Sequence, residues 1–136
     1  MKISKKILFI FYVIFVTTIS LLPSNDIPEV NAFPYFDKLV HFSIYALFSF
    51  LMLWAFPKKF AGIKQIIPFL LVVAYGFFME ILQRYTNLGR TFDLVDELAN
   101  CLGFFPGWLF WKWISDNGKL NSLFWYFPFG KKQVEE

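Results

Sequence analysis

Three short motifs carry the polar residues that could do chemistry in an otherwise apolar chain. Asp37, Lys38 and His41 open the first motif, DKLVHFSIYALF, and the chain has one histidine. Asp37 and His41 are four residues apart, so a helix would place them on one face. A carboxylate beside an imidazole orients the ring and favours its protonated form. Both residues are therefore candidates for general acid–base catalysis.

The second motif is AYGFFMEILQRY, in which apolar residues surround Glu80. Glu80 and Gln83 are three residues apart and share a helix face, and Arg84 follows directly. A carboxylate in such a run is costly unless it faces the interior of a helix bundle and has a partner there. Glu80 is therefore a further acid–base candidate, and Gln83 and Arg84 are candidate ligand-binding residues.

The third motif, GRTFDLVDELANCLG, contains Arg90 followed by Asp93, Asp96 and Asn100. The last three residues form one polar stripe on a predicted helix, which Thr91 or Asp93 could cap. Asp93 and Asp96 could bind a divalent cation, although this spacing is not diagnostic of one. The sequence identifies neither a particular metal nor another cofactor.

Charged residues at helix ends have a simpler interpretation. Lys38, Arg84 and Glu97 stand at such ends, where long charged side chains are typically solvated. Three polar residues lie one or two turns inside apolar runs: His41, Glu80 and Asn100. Residues of this kind predict a buried role, either a chemical site or a set of hydrogen bonds that holds helices together.

The composition indicates a membrane protein of one domain. The 136-residue chain is 57% hydrophobic and 23% aromatic, with 20 phenylalanines, and its mean hydropathy is +0.52. A small soluble core could not enclose so many large apolar side chains. A net charge of +3 without a basic run argues against nucleic-acid binding. The single cysteine, Cys101, excludes an intrachain disulfide.

Four apolar segments predict an all-α, polytopic bundle of four transmembrane helices at about residues 7–22, 39–56, 66–82 and 94–114. All lysines and arginines except Lys38, Arg84 and Arg90 lie before the first helix, between the second and third, or from the end of the fourth onward. This bias predicts that both termini are cytoplasmic and that residues 115–136 form a cytoplasmic tail. The three polar motifs would then meet at the extracytoplasmic end of the bundle.

Small residues indicate where helices approach closely. Gly103 and Gly107 form a G-x-x-x-G pattern in the fourth helix, and Gly76 is a small position in the third. This pattern allows another helix to pack against the glycine face.

Together, the motifs resemble those of the VanZ-like family of small bacterial membrane proteins. The family pattern consists of Asp-Lys-x-x-His-Phe, Gly-x-x-x-Glu-x-x-Gln and Arg-x-x-Asp-x-x-Asp-x-x-x-Asn-x-x-Gly. It falls here on Asp37, Lys38, His41, Phe42, Gly76, Glu80, Gln83, Arg90, Asp93, Asp96, Asn100 and Gly103, so the resemblance covers residues 37–107. It implies an integral protein of the bacterial cytoplasmic membrane, in a family whose name-giving member is associated with low-level teicoplanin resistance.

Two functions are compatible with these features. The first is binding or modification of an amphiphilic lipid or cell-wall precursor at the extracytoplasmic face, where Lys38, Arg84 and Arg90 would bind a phosphate. The candidate catalytic residues are His41, Glu80, Asp37 and Asp96, and the candidate ligand-binding residues are Lys38, Gln83, Arg84, Arg90, Asp93 and Asn100. The alternative is an accessory subunit, paired with a second copy or another membrane protein, whose polar residues hold its helices together. A transporter is a third option, but four short helices would need to oligomerise to form a pathway.

Overall fold

The computed structural model describes residues 4–22, 34–57, 66–86 and 93–116. They form four helices: α1 (Lys5–Ser20), α2 (Phe36–Ala55), α3 (Ile66–Tyr85) and α4 (Leu94–Asp116). These ranges contain no strand, which confirms the predicted all-α class. The helices extend beyond several of the apolar runs, since α2 begins at Phe36 and α3 continues to Tyr85. Arg90, the loops and the tail after residue 116 lie outside the described residues.

Two of the four helices, α2 and α3, are long and apolar enough to cross a membrane. α1 has 16 residues, and at 1.5 Å per residue it is only about 24 Å long. That is shorter than the roughly 30 Å hydrocarbon core of a bilayer. α4 is longer, but Asp96 and Glu97 lie in its first turn. Length and composition therefore support membrane crossing for two helices rather than for the predicted four.

Helices α2 and α4 run in the same direction and make the most extensive contact in the bundle. A Cβ atom added to Gly103 would collide with the Phe42 carbonyl oxygen, and one added to Gly107 would collide with the Ala46 carbonyl oxygen. The backbone of α2 therefore occupies the space that larger side chains on α4 would need. This confirms the predicted close approach at the G-x-x-x-G pattern.

Aromatic side chains form the core between α1, α2 and α3. The Phe48 ring stacks on Tyr75 with centroids 4.9 Å apart, and Phe9 meets Phe48 edge-on at 5.3 Å. The Tyr12 hydroxyl donates to the Ile44 carbonyl at 2.9 Å. Each aromatic pair contributes about 0.5–1.5 kcal/mol beyond the burial of its area. These contacts fix α1 and α3 against α2.

Large apolar side chains also cover the outside of the bundle. On α1, the exposed fractions of Ile10, Phe11 and Ile14 all exceed half. The other three helices carry exposed leucine, isoleucine or phenylalanine side chains as well. Soluble monomers rarely expose contiguous apolar surface on this scale, so this exterior needs an apolar environment.

The close approach of α2 and α4 predicts the outcome of adding a side chain there. Gly107→Val would force the backbones apart, and overpacking of this kind costs about 1–3 kcal/mol. We expect the Tm of the protein in detergent to fall by about 5–15 °C. Ala74→Ile adds the same number of carbons at an exposed position of α3 and is the matched control. Equal Tm values for the two variants would contradict the packing.

Candidate functional site

Polar side chains from three helices meet at one end of the bundle. This is the end where α2 and α4 begin and α3 finishes. His41 and Glu80 each lie about 8 Å along the helix axis from that end, which is one to two turns inside. The polar cluster, as we define it, consists of Lys38, His41, Glu80, Asp93, Asp96, Glu97 and Asn100. The three sequence motifs thus contribute to a single site.

A chain of hydrogen bonds orients the histidine. His41 Nδ1 lies 3.0 Å from Asn100 Oδ1, and Asn100 Nδ2 lies 3.2 Å from Glu97 Oε2. A carboxylate only accepts hydrogen bonds, so the Asn100 amide must turn its NH₂ group toward Glu97. Its oxygen therefore faces His41, and His41 Nδ1 must donate. The neutral imidazole then presents an unprotonated Nε2 to the rest of the site.

Glu97 belongs to this site, and its interpretation as a solvated flanking charge was wrong. Its exposed fraction is only 8%, and its carboxylate accepts hydrogen bonds from Asn100 and from Cys101 Sγ at 3.6 Å. A Cβ atom on Gly76 would lie 2.6 Å from Glu97 Oε2. The glycine thus makes room on α3 for a carboxylate on α4. Two features of the sequence could have indicated this burial: the glycine at position 76 and the three-residue spacing of Glu97 and Asn100.

Lys38 neutralises the acids at the edge of the cluster. Its ammonium lies 2.6 Å from Asp93 Oδ2, 2.6 Å from Asp96 Oδ1 and 2.8 Å from Asp37 Oδ2. The predicted Asp93–Asp96 cation site therefore already holds a cation, the lysine itself. Asp93 also caps α4, since its Oδ1 accepts a hydrogen bond from Val95 N at 2.8 Å.

Three side chains lie close together within the polar cluster: those of His41, Glu80 and Asp96. One ligating atom from each lies within 4.8 Å of the other two. Glu80 is 2% exposed, and its Oε2 accepts a long hydrogen bond of 3.4 Å from Asp93 N. These three groups could act in proton transfer or hold a metal ion. They form the chemically most reactive part of the polar cluster.

Asp37 and Gln83 have contacts other than those their spacing predicts. The Asp37 side chain is 62% exposed and pairs with Lys38, whereas His41 bonds to Asn100. Gln83 donates to the Ser20 carbonyl at 2.7 Å and so ties α3 to the end of α1. Gln83 is therefore a structural contact between two helices. The helical i, i+4 rule fixed the face of Asp37 but not which partner its side chain would choose.

Arg84 lies near the end of α3 and forms no ion pair with the acids of the polar cluster in the described ranges. It is exposed beside Phe77, Ile81 and Tyr85, and the four residues line a shallow groove of about 530 Å³. Glu80 and Gln83 are buried, and Arg84, four residues after Glu80, lies on the same side of α3 one turn closer to its end. Arg84 stays a candidate ligand-binding residue at the exposed end of the helix, and Arg90 lies outside the described residues.

The protein is a helical bundle with a histidine–carboxylate cluster at one end. The chain matches the VanZ/LLP1 family over residues 7–115. A match over most of the chain shows that the protein belongs to this family, which confirms the predicted resemblance.

A fission-yeast protein is also similar. The chain is 32% identical over 103 residues to the Schizosaccharomyces pombe protein named Uncharacterized protein C11E3.10. The similarity covers 74% of this chain and 59% of the yeast protein, so the chain spans little more than half the length of that relative. No solved structure matches the chain.

The hydrogen-bond chain predicts the tautomer of the single histidine. We expect ¹⁵N NMR of imidazole-labelled protein near pH 8 to show a protonated Nδ1 and an unprotonated Nε2, because Asn100 Oδ1 accepts from Nδ1. Asn100→Ala should abolish this preference, whereas Ser43→Ala, on the outer side of α2, should keep it. A protonated Nε2 in the wild-type protein would contradict the assigned orientation.

The Lys38–Asp93 ion pair predicts a dependence of stability on pH. The hydrogen bond from the Lys38 ammonium lowers the pKa of the Asp93 carboxyl below its ordinary value. A group with a lowered folded-state pKa stabilises the protein above its unfolded pKa, about 3.9, and loses this effect as pH falls through the folded value. Asp93→Asn keeps the helix cap and removes the charge. We expect wild type to be more stable than the variant at pH 7 and the difference to disappear as pH falls through the lowered pKa of Asp93, as measured by chemical unfolding.

Proposed function

We propose that this protein is an integral membrane protein that binds or modifies the polar headgroup of an amphiphilic envelope molecule. The observation that carries the proposal is a polar cluster at one end of a bundle whose outer surface is apolar. An amphiphile has the matching form, since its chains can lie along the apolar helices while its headgroup reaches His41, Glu80 and Asp96.

Membrane embedding of all four helices is part of this proposal. The apolar exterior and the two helices of sufficient length support it. The distribution of lysine and arginine supports cytoplasmic termini, which would put the polar cluster at the extracytoplasmic face. In a bacterium, that face of the cytoplasmic membrane meets lipids and lipid-linked wall precursors.

The charges of the polar cluster restrict the headgroup. The positive charge of Lys38 is neutralised by three carboxylates of the protein itself. Arg84 is exposed and forms no described ion pair with the cluster, so a bare phosphate beside His41, Glu80 and Asp96 would meet mostly acidic groups. The cluster alone therefore favours headgroups that offer hydroxyl or ammonium donors, and phosphate binding requires another positive charge. A relative in yeast supports a lipid that bacteria and fungi share over a wall precursor that only bacteria make.

If the site is catalytic, His41 Nε2 is the proton acceptor. Its partner Asn100 holds Nδ1 protonated, which leaves Nε2 to take a proton from a headgroup hydroxyl or from water. Glu80 and Asp96 lie within reach to orient that hydroxyl and to stabilise the imidazolium that forms.

An accessory subunit without catalysis is the second candidate. Polar side chains link helices of the bundle in the described ranges: Gln83 donates to the Ser20 carbonyl, and Lys38 pairs with Asp93. A hydrogen bond between membrane helices such as Gln83–Ser20 contributes about 0.6 kcal/mol. In this case the polar cluster would serve stability, and the surface that binds a partner would be the apolar exterior.

A genetic comparison tests the proposed function. We expect deletion of the gene to change the profile of membrane lipids or lipid-linked wall precursors, and wild-type protein to restore it. His41→Ala, Glu80→Gln and Asp96→Asn should each fail to restore it, because loss of an acid–base group lowers turnover by about 100-fold or more. Ser43→Ala is the matched control on the outer side of α2 and should restore it fully. Teicoplanin sensitivity of the same strains tests the link to glycopeptide resistance.

Stability measurements on the same variants separate the two candidates. Headgroup chemistry predicts that the three variants insert into the membrane and unfold within a few degrees of wild type. An accessory role predicts that function is lost only in proportion to Tm. Full complementation by all three variants would overturn a chemical site.

A further inference from the structure

We propose that His41, Glu80 and Asp96 bind one divalent first-row transition-metal ion. Each residue comes from a different helix, and each contributes one ligating atom to a group within 4.8 Å. Because α2, α3 and α4 all supply a ligand, the ion would join the three helices at one point. The site goes beyond the proposed function, which requires no metal; with an ion bound, His41 Nε2 would be a ligand rather than a proton acceptor, and the ion would polarise the headgroup.

The spacing of the three groups fits an ion between them. Metal–ligand bonds of about 2.1 Å hold ligating atoms roughly 3.4–4.2 Å apart. Closing the observed group around an ion therefore requires side-chain movements of about 1 Å or less. His41 makes no hydrogen bond to either carboxylate, and its described partner is Asn100. The three groups converge without satisfying one another, as ligands around a cation do.

Glu80 gives an independent reason to expect a cation. Its side chain is 2% exposed, and in the described ranges it accepts one long hydrogen bond, from Asp93 N. No described lysine or arginine forms an ion pair with it. A buried carboxylate without a positive partner is strongly destabilising, and it is aimed at His41 and Asp96. A divalent ion would supply the missing charge.

The surroundings of His41 match the outer shell of a metal site. A ligating histidine usually donates its other ring N–H to an oxygen, which fixes the tautomer and the orientation of the ring. His41 Nδ1 donates to Asn100 Oδ1, and Asn100 is held in turn by Glu97. Nε2 is thereby left as the ligand. Glu97 and Asn100 are positioning residues in this arrangement.

Lys38 defines the border of the metal site. It pairs with Oδ1 of Asp96, so Lys38 and the ion would share the charge of that carboxylate. Asp93 is occupied by Lys38 and by the α4 backbone, which explains why it is not a ligand. One nitrogen and two carboxylate oxygens suit Zn²⁺, Mn²⁺ or Fe²⁺ better than Ca²⁺, which prefers oxygen alone.

Such an ion would change which headgroups the site can accept. Without it, the acids of the polar cluster repel a phosphate. A bound divalent ion reverses the local charge and polarises a phosphoryl or carbonyl oxygen. The positive charge that phosphate binding requires would then come from the ion.

Metal binding by the purified full-length protein tests this inference. The protein in detergent is stripped with a chelator, dialysed against Zn²⁺, Mn²⁺ or Co²⁺, and analysed for bound metal per chain. We expect one ion per chain and loss of at least 100-fold in affinity for His41→Ala, Glu80→Gln and Asp96→Asn. Asn100→Ala should weaken binding by about 10–100-fold. Asp116→Asn removes a carboxylate at the far end of α4 and should leave binding unchanged.

The single histidine gives a direct spectroscopic readout. Zn²⁺ should shift the ¹⁵N resonance of His41 Nε2 while Nδ1 stays protonated. No bound ion in the wild type, or binding that the three variants leave intact, would overturn the inference. If the wild type restores the lipid profile but binds none of the three ions, the metal site is overturned and the proposed function stands. Tight metal binding without any change in the lipid profile would support the metal site and contradict the proposed function.

Discussion

The close approach of α2 and α4 at Gly103 and Gly107 is the constraint on which the site depends. Because these glycines lack side chains, the backbones meet directly, and the two parallel helices are locked in register. Along this register, the next contact toward the helix starts is the hydrogen bond between His41 and Asn100. A wider separation would break that bond and release the orientation of the imidazole. Packing in the apolar part of the bundle therefore determines chemistry at its polar end.

The polar cluster places several carboxylates in a small, partly buried volume, where their negative charges need compensation. Lys38 neutralises the outer ones, and Asn100 with Cys101 accommodates Glu97 by hydrogen bonds. Glu80 accepts one long hydrogen bond and forms no ion pair among the described residues. In a fold held together mainly by apolar packing, retaining such a group costs stability. This cost is expected of a residue that serves function, because replacing it with an apolar side chain would be cheaper for the fold alone.

The glycine in α3 has a different purpose from those in α4. Gly76 leaves space for the side chains of Glu97 and Asn100, whereas Gly103 and Gly107 leave space for backbone. One type of small residue thus supports both the architecture and the site. Membership of the VanZ/LLP1 family extends over nearly all of the four-helix bundle, so the architecture and the site belong to the same unit.

The sequence by itself determined the all-α class, the approximate helices and the glycine contact, because apolar runs and small-residue spacing are local patterns. It also indicated that His41, Glu80 and Asn100 are buried, because polar residues inside apolar runs need partners. Only the tertiary structure decided which residues are those partners. The pairing of His41 with Asn100 rather than Asp37 and the burial of Glu97 both depend on the rotation of one helix against another. Helical periodicity fixes which residues share a face, but the direction of that face is set by contacts between residues far apart in the chain.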